Sequence, residues 1–239
     1  MIRAVVFDFG QTLVDSAEGF RTAEKEFQKK AFATLELKGW EDFLEIYRET
    51  RARFHGRSDF SRKRIMEAVF RHYGRAADSA LLEAWETGYW ERIKATTRLF
   101  PETQEVLTTL RDRYALALIT NSQGQRQDEK HRLVHYPQLE TFFPVIVVAG
   151  EGGIPAKPDP APFRLCLEKL GVAPEDAVYV GDDWRIDVLG SAAVGMHPVW
   201  LQHRTVKRNW PAVEITVPVI SGLEELFDLD DLLRQGQKQ

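Results

Sequence analysis

Four stretches of this 239-residue chain end apolar runs in groups that can do chemistry. The run Ile2 to Phe7, broken only by Arg3, stops at Asp8, with Gly10 close behind. Leu116 to Ile119 stops at Thr120 and Asn121, whose hydroxyl, amide and backbone N–H groups can hold the oxygens of an anion. Val178 to Val180 leads through Gly181 into three acids within six residues, Asp182, Asp183 and Asp187. Lys157 lies in Ile-Pro-Ala-Lys-Pro-Asp-Pro, before a helix start marked by Asp159 as N-cap and Pro160 at the first helical position. In open α/β sheets ligands gather at the carboxyl edge, which makes acids delivered there candidates for catalysis. Carboxylates crowded into one crevice cannot all stay ionised unaided, and a divalent cation together with Lys157 would relieve them. Oxygen donors of this kind favour Mg²⁺. Plainer readings stand beside these: ordinary turns, a surface lysine, and an acid that caps a helix. Capping explains one of the three acids, not all of them.

Such residues need a scaffold. Strand-like runs at Tyr114 to Ile119, Val145 to Ala149, Ala177 to Val180 and Pro198 to Leu201 alternate with helical patterns, which predicts a parallel sheet with helices on both faces. The strand ending at Asp8 belongs to that sheet. Between Asp15 and Leu99 the pattern is helical throughout, over residues 18 to 36, 41 to 54, 62 to 73 and 80 to 94, the last with a stripe of Leu81, Trp85, Tyr89 and Ile93. The predicted organisation is therefore a Rossmann-like α/β core from residues 1–15 and 99–239, with a small all-helical domain, 16–98, inserted. Between Arg48 and Arg75 eight arginines and Lys63 meet three acids, Glu49, Asp59 and Glu67. This reads either as solvated helix faces or as a basic surface that steers anions.

The composition excludes several classes. An apolar fraction of 44%, a charged fraction of 28% and a net charge of −4 describe a globular chain without a general affinity for nucleic acid or membranes. No apolar run approaches the roughly 20 residues of a membrane span. The single cysteine, Cys166, excludes an internal disulfide, and its apolar setting reads as a buried helical thiol. A cytoplasmic protein is expected; monomer or homodimer stays open.

The first stretch, Asp-Phe-Gly-Gln-Thr-Leu-Val-Asp, resembles the opening signature of the haloacid dehalogenase-like (HAD) hydrolases, Asp-x-Asp-Gly-Thr-Leu-x-Asp. Asp8, Thr12, Leu13 and Asp15 match; Gly10 and Gln11 depart. Thr120 matches the second motif, Lys157 the third, and Gly-Asp-Asp-x-x-x-Asp the fourth. The resemblance implies a subfamily with a helical cap and a phosphatase acting on a small phosphorylated metabolite. Asp8 would be the nucleophile, Thr120 and the Asn121 N–H would hold phosphoryl oxygens, and Lys157 would neutralise charge. Mg²⁺ would be held by Asp8, the Gly10 carbonyl and Asp182, with Asp187 orienting Lys157 or a metal-bound water; the part of Asp183 stays open. Gly10 stands where the family usually carries its proton-transferring aspartate. That departure admits a catalytically weak phosphate- or partner-binding protein, a phosphonatase using Lys25, Lys29 or Lys30, or a dehalogenase.

Overall fold

The structure, a computed structural model, describes residues 1–56, 61–121, 137–203 and 216–236. They form two compact units, one built from Met1–Asp15 and the described residues from Arg98 onward, the other from Ser16–Thr97.

The first unit is built on a six-stranded parallel sheet in the order β5-β4-β1-β6-β7-β8. Its strands are β1 (Ala4–Phe7), β4 (Ala115–Asn121), β5 (Val145–Ala149), β6 (Ala177–Gly181), β7 (His197–Leu201) and β8 (Val219–Ile220). All four residues of β1 are buried because both faces of a parallel sheet are covered, and strand alternation divides them between two cores. Val5 and Phe7 pack with Val106, Leu107 and Leu110 of Thr103–Arg111 and with Leu223 and Leu226. Ala4 and Val6 share the other core with Phe163, Cys166 and Leu167 of Pro160–Leu170. The expected sheet with helices on both faces is present, and Cys166 is the buried helical thiol expected. A two-residue ladder, β2 (Val14–Asp15) against β3 (Arg98–Leu99), closes this unit where the chain leaves and re-enters it.

The second unit consists of α1 (Ala17–Thr34), α2 (Trp40–His55), α3 (Arg62–His72) and α4 (Ser79–Thr96). Side chains at helical spacing, among them Phe27, Ala31, Phe43, Tyr47, Ile65 and Ile93, form its own core. In α4 Tyr89 and Ile93 of the expected apolar stripe are buried, but in its first turn Leu82 is buried while Leu81, expected in the stripe, is exposed. One residue of drift is what a stripe read from spacing alone leaves open. A second correction concerns the basic run. Arg57 and Asp59 lie outside the described residues, but Arg62 is 2% exposed and is no part of a solvated face. Its Nε donates to Glu24 Oε2 at 3.2 Å and its guanidinium to the Tyr89 hydroxyl at 2.9 Å. Tyr47 and Tyr89 each donate to Glu24, at 2.9 and 2.8 Å. One carboxylate thus ties residues from all four helices together. Burial works against the ionised Glu24, yet Arg62 and Arg51 hold its carboxyl below the usual range. No helix among the described residues is long and apolar enough to cross a membrane.

Candidate active site

Parallel register sets the positions of the catalytic candidates. Phe7 pairs with Leu118 on one side and Val180 on the other, which brings the ends of β4 and β6 level with Asp8. The Asp8 N–H donates to Val180 O at 2.9 Å, so the ladder fixes the backbone of Asp8 itself. Thr12 Oγ1 donates to Asp8 Oδ2 at 3.3 Å across the turn that follows.

Lys157 is no surface lysine. It is 1% exposed, and its Nζ lies 2.8 Å from Asp8 Oδ1, 2.8 Å from Asp187 Oδ1, 2.8 Å from the Tyr179 hydroxyl and 2.9 Å from Ile119 O. Four oxygens around an ammonium with three hydrogens leave it no freedom to wander. Its backbone is clamped as well: the Lys157 N–H donates to Asn121 Oδ1 at 2.8 Å, and Asn121 Nδ2 donates back to Lys157 O at 3.1 Å. The Asn121 side chain therefore holds the lysine loop, which leaves its backbone as the part that can face a substrate. Thr120, next to it, is 4% exposed at the end of β4. Asp159 caps the following helix as expected, accepting from the Ala161 N–H at 2.8 Å.

Beyond β6 the three acids take different parts. Asp183 caps the π-helical turn Trp184–Val188, accepting from the N–H groups of Arg185 and Ile186. Asp187 spends both oxygens on neighbours, Oδ1 on Lys157 and Tyr179 and Oδ2 on the Asp183 N–H at 3.0 Å. That engagement suits it to holding Lys157 in place. A Cβ at Gly181 would fall 2.4 Å from that of Asp187, so glycine there lets the acid fold back under the strand end. Asp182 is 6% exposed, and ligand oxygens of Asp8, Asp182 and Asp187 all lie within 4.8 Å of one another. Three carboxylates against one ammonium leave an excess of negative charge.

The electrostatics follow from burial. Removal from water pushes the Asp8 carboxyl up to about 6, helped by Asp187 and opposed by Lys157. Burial disfavours the Lys157 ammonium too, yet Asp187 and Asp8 outweigh that and hold it above its usual value. Burial, with those two carboxylates, also drives the Tyr179 phenol well above its ordinary value, so it stays a hydrogen-bond donor.

At the turn, Gly10 bridges to Val14, and a Cβ there would meet no atom within 4 Å. Gln11 occupies the left-handed region with φ 63°, a conformation glycine takes freely and a side chain resists. The family signature has glycine at this position, so the departure at Gln11 carries backbone strain.

The sequence reading missed Tyr179. A phenol in an otherwise apolar, fully buried strand needs a partner for its hydroxyl, and that was the signal available.

Comparisons with known proteins show what the chain is similar to. A sequence model of haloacid dehalogenase-like hydrolases matches residues 2–195. A phosphoserine phosphatase of Thermus thermophilus is 38% identical over 141 residues, 59% of this chain and 54% of that protein, so the chain aligns with only about half of that relative. A glyceraldehyde 3-phosphate phosphatase of Methanopyrus kandleri is 29% identical over 237 residues, covering 96% of this chain and 97% of the other. A solved 2-haloacid dehalogenase from Pseudomonas syringae pv. Tomato superposes with a TM-score of 0.64 at 27% identity, covering 98% of this chain and 99% of that one. The match runs from β1 through the acids after β6, and the chain belongs to the haloacid dehalogenase-like hydrolase family.

Proposed function

We propose that the protein is a Mg²⁺-dependent phosphatase that removes phosphate from a small phosphorylated metabolite through an aspartyl-phosphate on Asp8. The observation that carries this reading is the buried Lys157 ammonium, 2.8 Å from both Asp8 Oδ1 and Asp187 Oδ1, with Asp182 in the same acidic cluster. Two relatives named as phosphatases support it. The donor set fits a hard divalent cation, being all oxygen and in excess of the one ammonium. Asp8, Asp182 and the Gly10 carbonyl would hold the ion, with Asp187 beside them. When bound, the ion would supply charge neutralisation for the phosphoryl oxygens.

In the first step an Asp8 carboxylate oxygen attacks phosphorus in line, and the P–O bond to the leaving oxygen breaks. Thr120 and the Asn121 N–H hold phosphoryl oxygens, while Lys157 balances the charge that develops. Water then cleaves the acyl phosphate and regenerates the Asp8 carboxylate. Gly10 cannot donate the proton that an alkoxide leaving group needs, so substrates with good leaving groups are favoured. Residues 16–98 act as the cap in this proposal. The test is hydrolysis of 4-nitrophenyl phosphate, expected to require Mg²⁺ and to fall by about 10⁴ or more in Asp8→Asn; undiminished turnover in that variant would reject Asp8 as nucleophile.

One observation favours a second reading. The similarity to a 2-haloacid dehalogenase, together with glycine at position 10, suits displacement of halide from carbon by the same Asp8, a reaction with no proton to deliver. Halide release from 2-chloropropionate without added metal would select it.

A further inference from the structure

Asp182 stands one residue beyond the ladder that joins β6 to β7. Its predecessor, Gly181, is opposite Trp200 in the last pair of that register, so pairing with β7 stops just short of the acid. Two side chains take over from the backbone. Trp200, 2% exposed, donates its indole N–H to Asp182 O at 3.1 Å. The next N–H along the chain, that of Asp183, donates to Asp187 Oδ2 at 3.0 Å.

Those two groups belong to one peptide unit, and a peptide unit is planar. Gripping its oxygen from one side and its N–H from the other fixes the plane. With Gly181 anchored in the sheet before it, the Cα of Asp182 is held on both sides, which sets the direction in which its Cβ and carboxylate leave the chain. The anchor has little slack of its own. The Trp200 backbone N–H donates to Pro218 O at 2.9 Å, and its ring packs against that of Trp184 with centroids 4.7 Å apart. An indole N–H can only donate, and a buried one needs an acceptor, so the side chain is held to this carbonyl.

We infer that Trp200 is a positioning residue for the acidic cluster: through the Asp182 carbonyl it aims the Asp182 carboxylate at the cation and so tunes the site toward Mg²⁺. The inference rests on the proposed cation site of Asp8, Asp182 and the Gly10 carbonyl. Mg²⁺ demands near-ideal octahedral geometry, whereas Ca²⁺ accepts irregular shells. A loosened Asp182 therefore penalises the smaller ion more. Residues that orient a metal ligand from behind are typically worth about 10- to 100-fold in affinity.

Calorimetric titration of the full chain with magnesium chloride and with calcium chloride, well below the unfolding midpoint of every variant, tests this. Trp200→Phe keeps an aromatic ring and loses the N–H; Mg²⁺ affinity should fall at least about tenfold and Ca²⁺ affinity less than about threefold. Trp184→Phe keeps both grips on the Asp182 peptide and should change neither. Unchanged Mg²⁺ affinity in Trp200→Phe overturns the inference, and so does an equal loss for both cations, which would make Trp200 a support of the fold alone. A matching loss in Trp184→Phe likewise overturns it, by assigning the effect to ring packing. If Trp200→Phe does not fold, the wild-type chain decides: the proton resonance of the Trp200 indole N–H should shift saturably with Mg²⁺, and a resonance that ignores the ion overturns the inference. A wild-type chain that binds no Mg²⁺ overturns this inference and the metal-dependent phosphatase proposal together. One that binds it, with Trp200→Phe binding it equally well, overturns the inference alone.

Discussion

Two buried charge networks hold the two units of this protein, and their arithmetic differs. In the α/β unit, one ammonium, Lys157, faces the carboxylates of Asp8 and Asp187, with Asp182 close by. In the helical unit, one carboxylate, Glu24, faces two guanidiniums, Arg62 and Arg51, and accepts from two phenols. Both are built from charges that are expensive to bury singly. The helical network has its carboxylate compensated from within and works as a keystone between helices. The core network retains surplus negative charge on a strand edge, and that surplus is what a cation and an electrophile can use. A buried ion pair therefore says little until its neighbours are counted.

Removing the central cation from each network should separate the two. Lys157→Met leaves Asp8 and Asp187 facing each other; the proposed phosphatase activity should fall at least about 10²-fold and stability by about 3–5 kcal/mol. Urea unfolding of that variant should show part of the stability recovered on adding Mg²⁺. Arg62→Met should cost about 3–5 kcal/mol as well, because Glu24 loses its best-buried partner, but Mg²⁺ should recover none of it. Equal rescue of both variants would show that the two networks do not differ in surplus negative charge.

A smaller effect is expected at the turn. Gly10 has room for a side chain, so Gly10→Asp should raise turnover of an alkyl phosphate by about 10²-fold or more, the usual worth of general acid–base help. The gain should be much less for 4-nitrophenyl phosphate, whose leaving group needs no proton. Equal gains on both esters would argue that the aspartate acts through the metal and not through proton transfer.

The smallest effect is one of pH on the helical network. Burial, followed by Arg62 and Arg51, pushes His55 down to about 3 from an ordinary 6.5. The unfolded chain therefore binds a proton at His55 in a window where the folded chain does not, and stability falls as pH drops from 6.5 toward 3. Glu24, whose pKa is lowered, adds to the same trend below its unfolded value near 4.5. His55→Gln should flatten the dependence of the urea midpoint on pH between 6.5 and 4.5, where Glu24 contributes little.

Much of the scaffold could be read in advance. Continuous apolar runs such as Ala4–Phe7 report burial on both faces, and the 3.6-residue spacing of Phe27, Ala31 and their neighbours reports a helix face, since both are properties of the local chain. The candidate acids were legible because each stands directly after a strand, and parallel register does the rest. Three things were not. Tyr179 reaches Lys157 from the middle of a strand, Asn121 grips the lysine backbone with its side chain, and Arg62 leaves a surface-looking basic run to meet Glu24. Each is a contact between segments far apart in sequence, for which composition and spacing hold no record.

The sequence by itself determined which groups stand directly after the strands and which stretch of chain is helical, because strand and helix periodicity are written in neighbouring residues. Tertiary structure alone decided that Asp183 is a cap while Asp187 restrains Lys157, and that Arg62, among the described arginines of the basic run, is buried. Those assignments depend on which atoms meet across the fold, where distance and desolvation, not residue type, set the role of a charge.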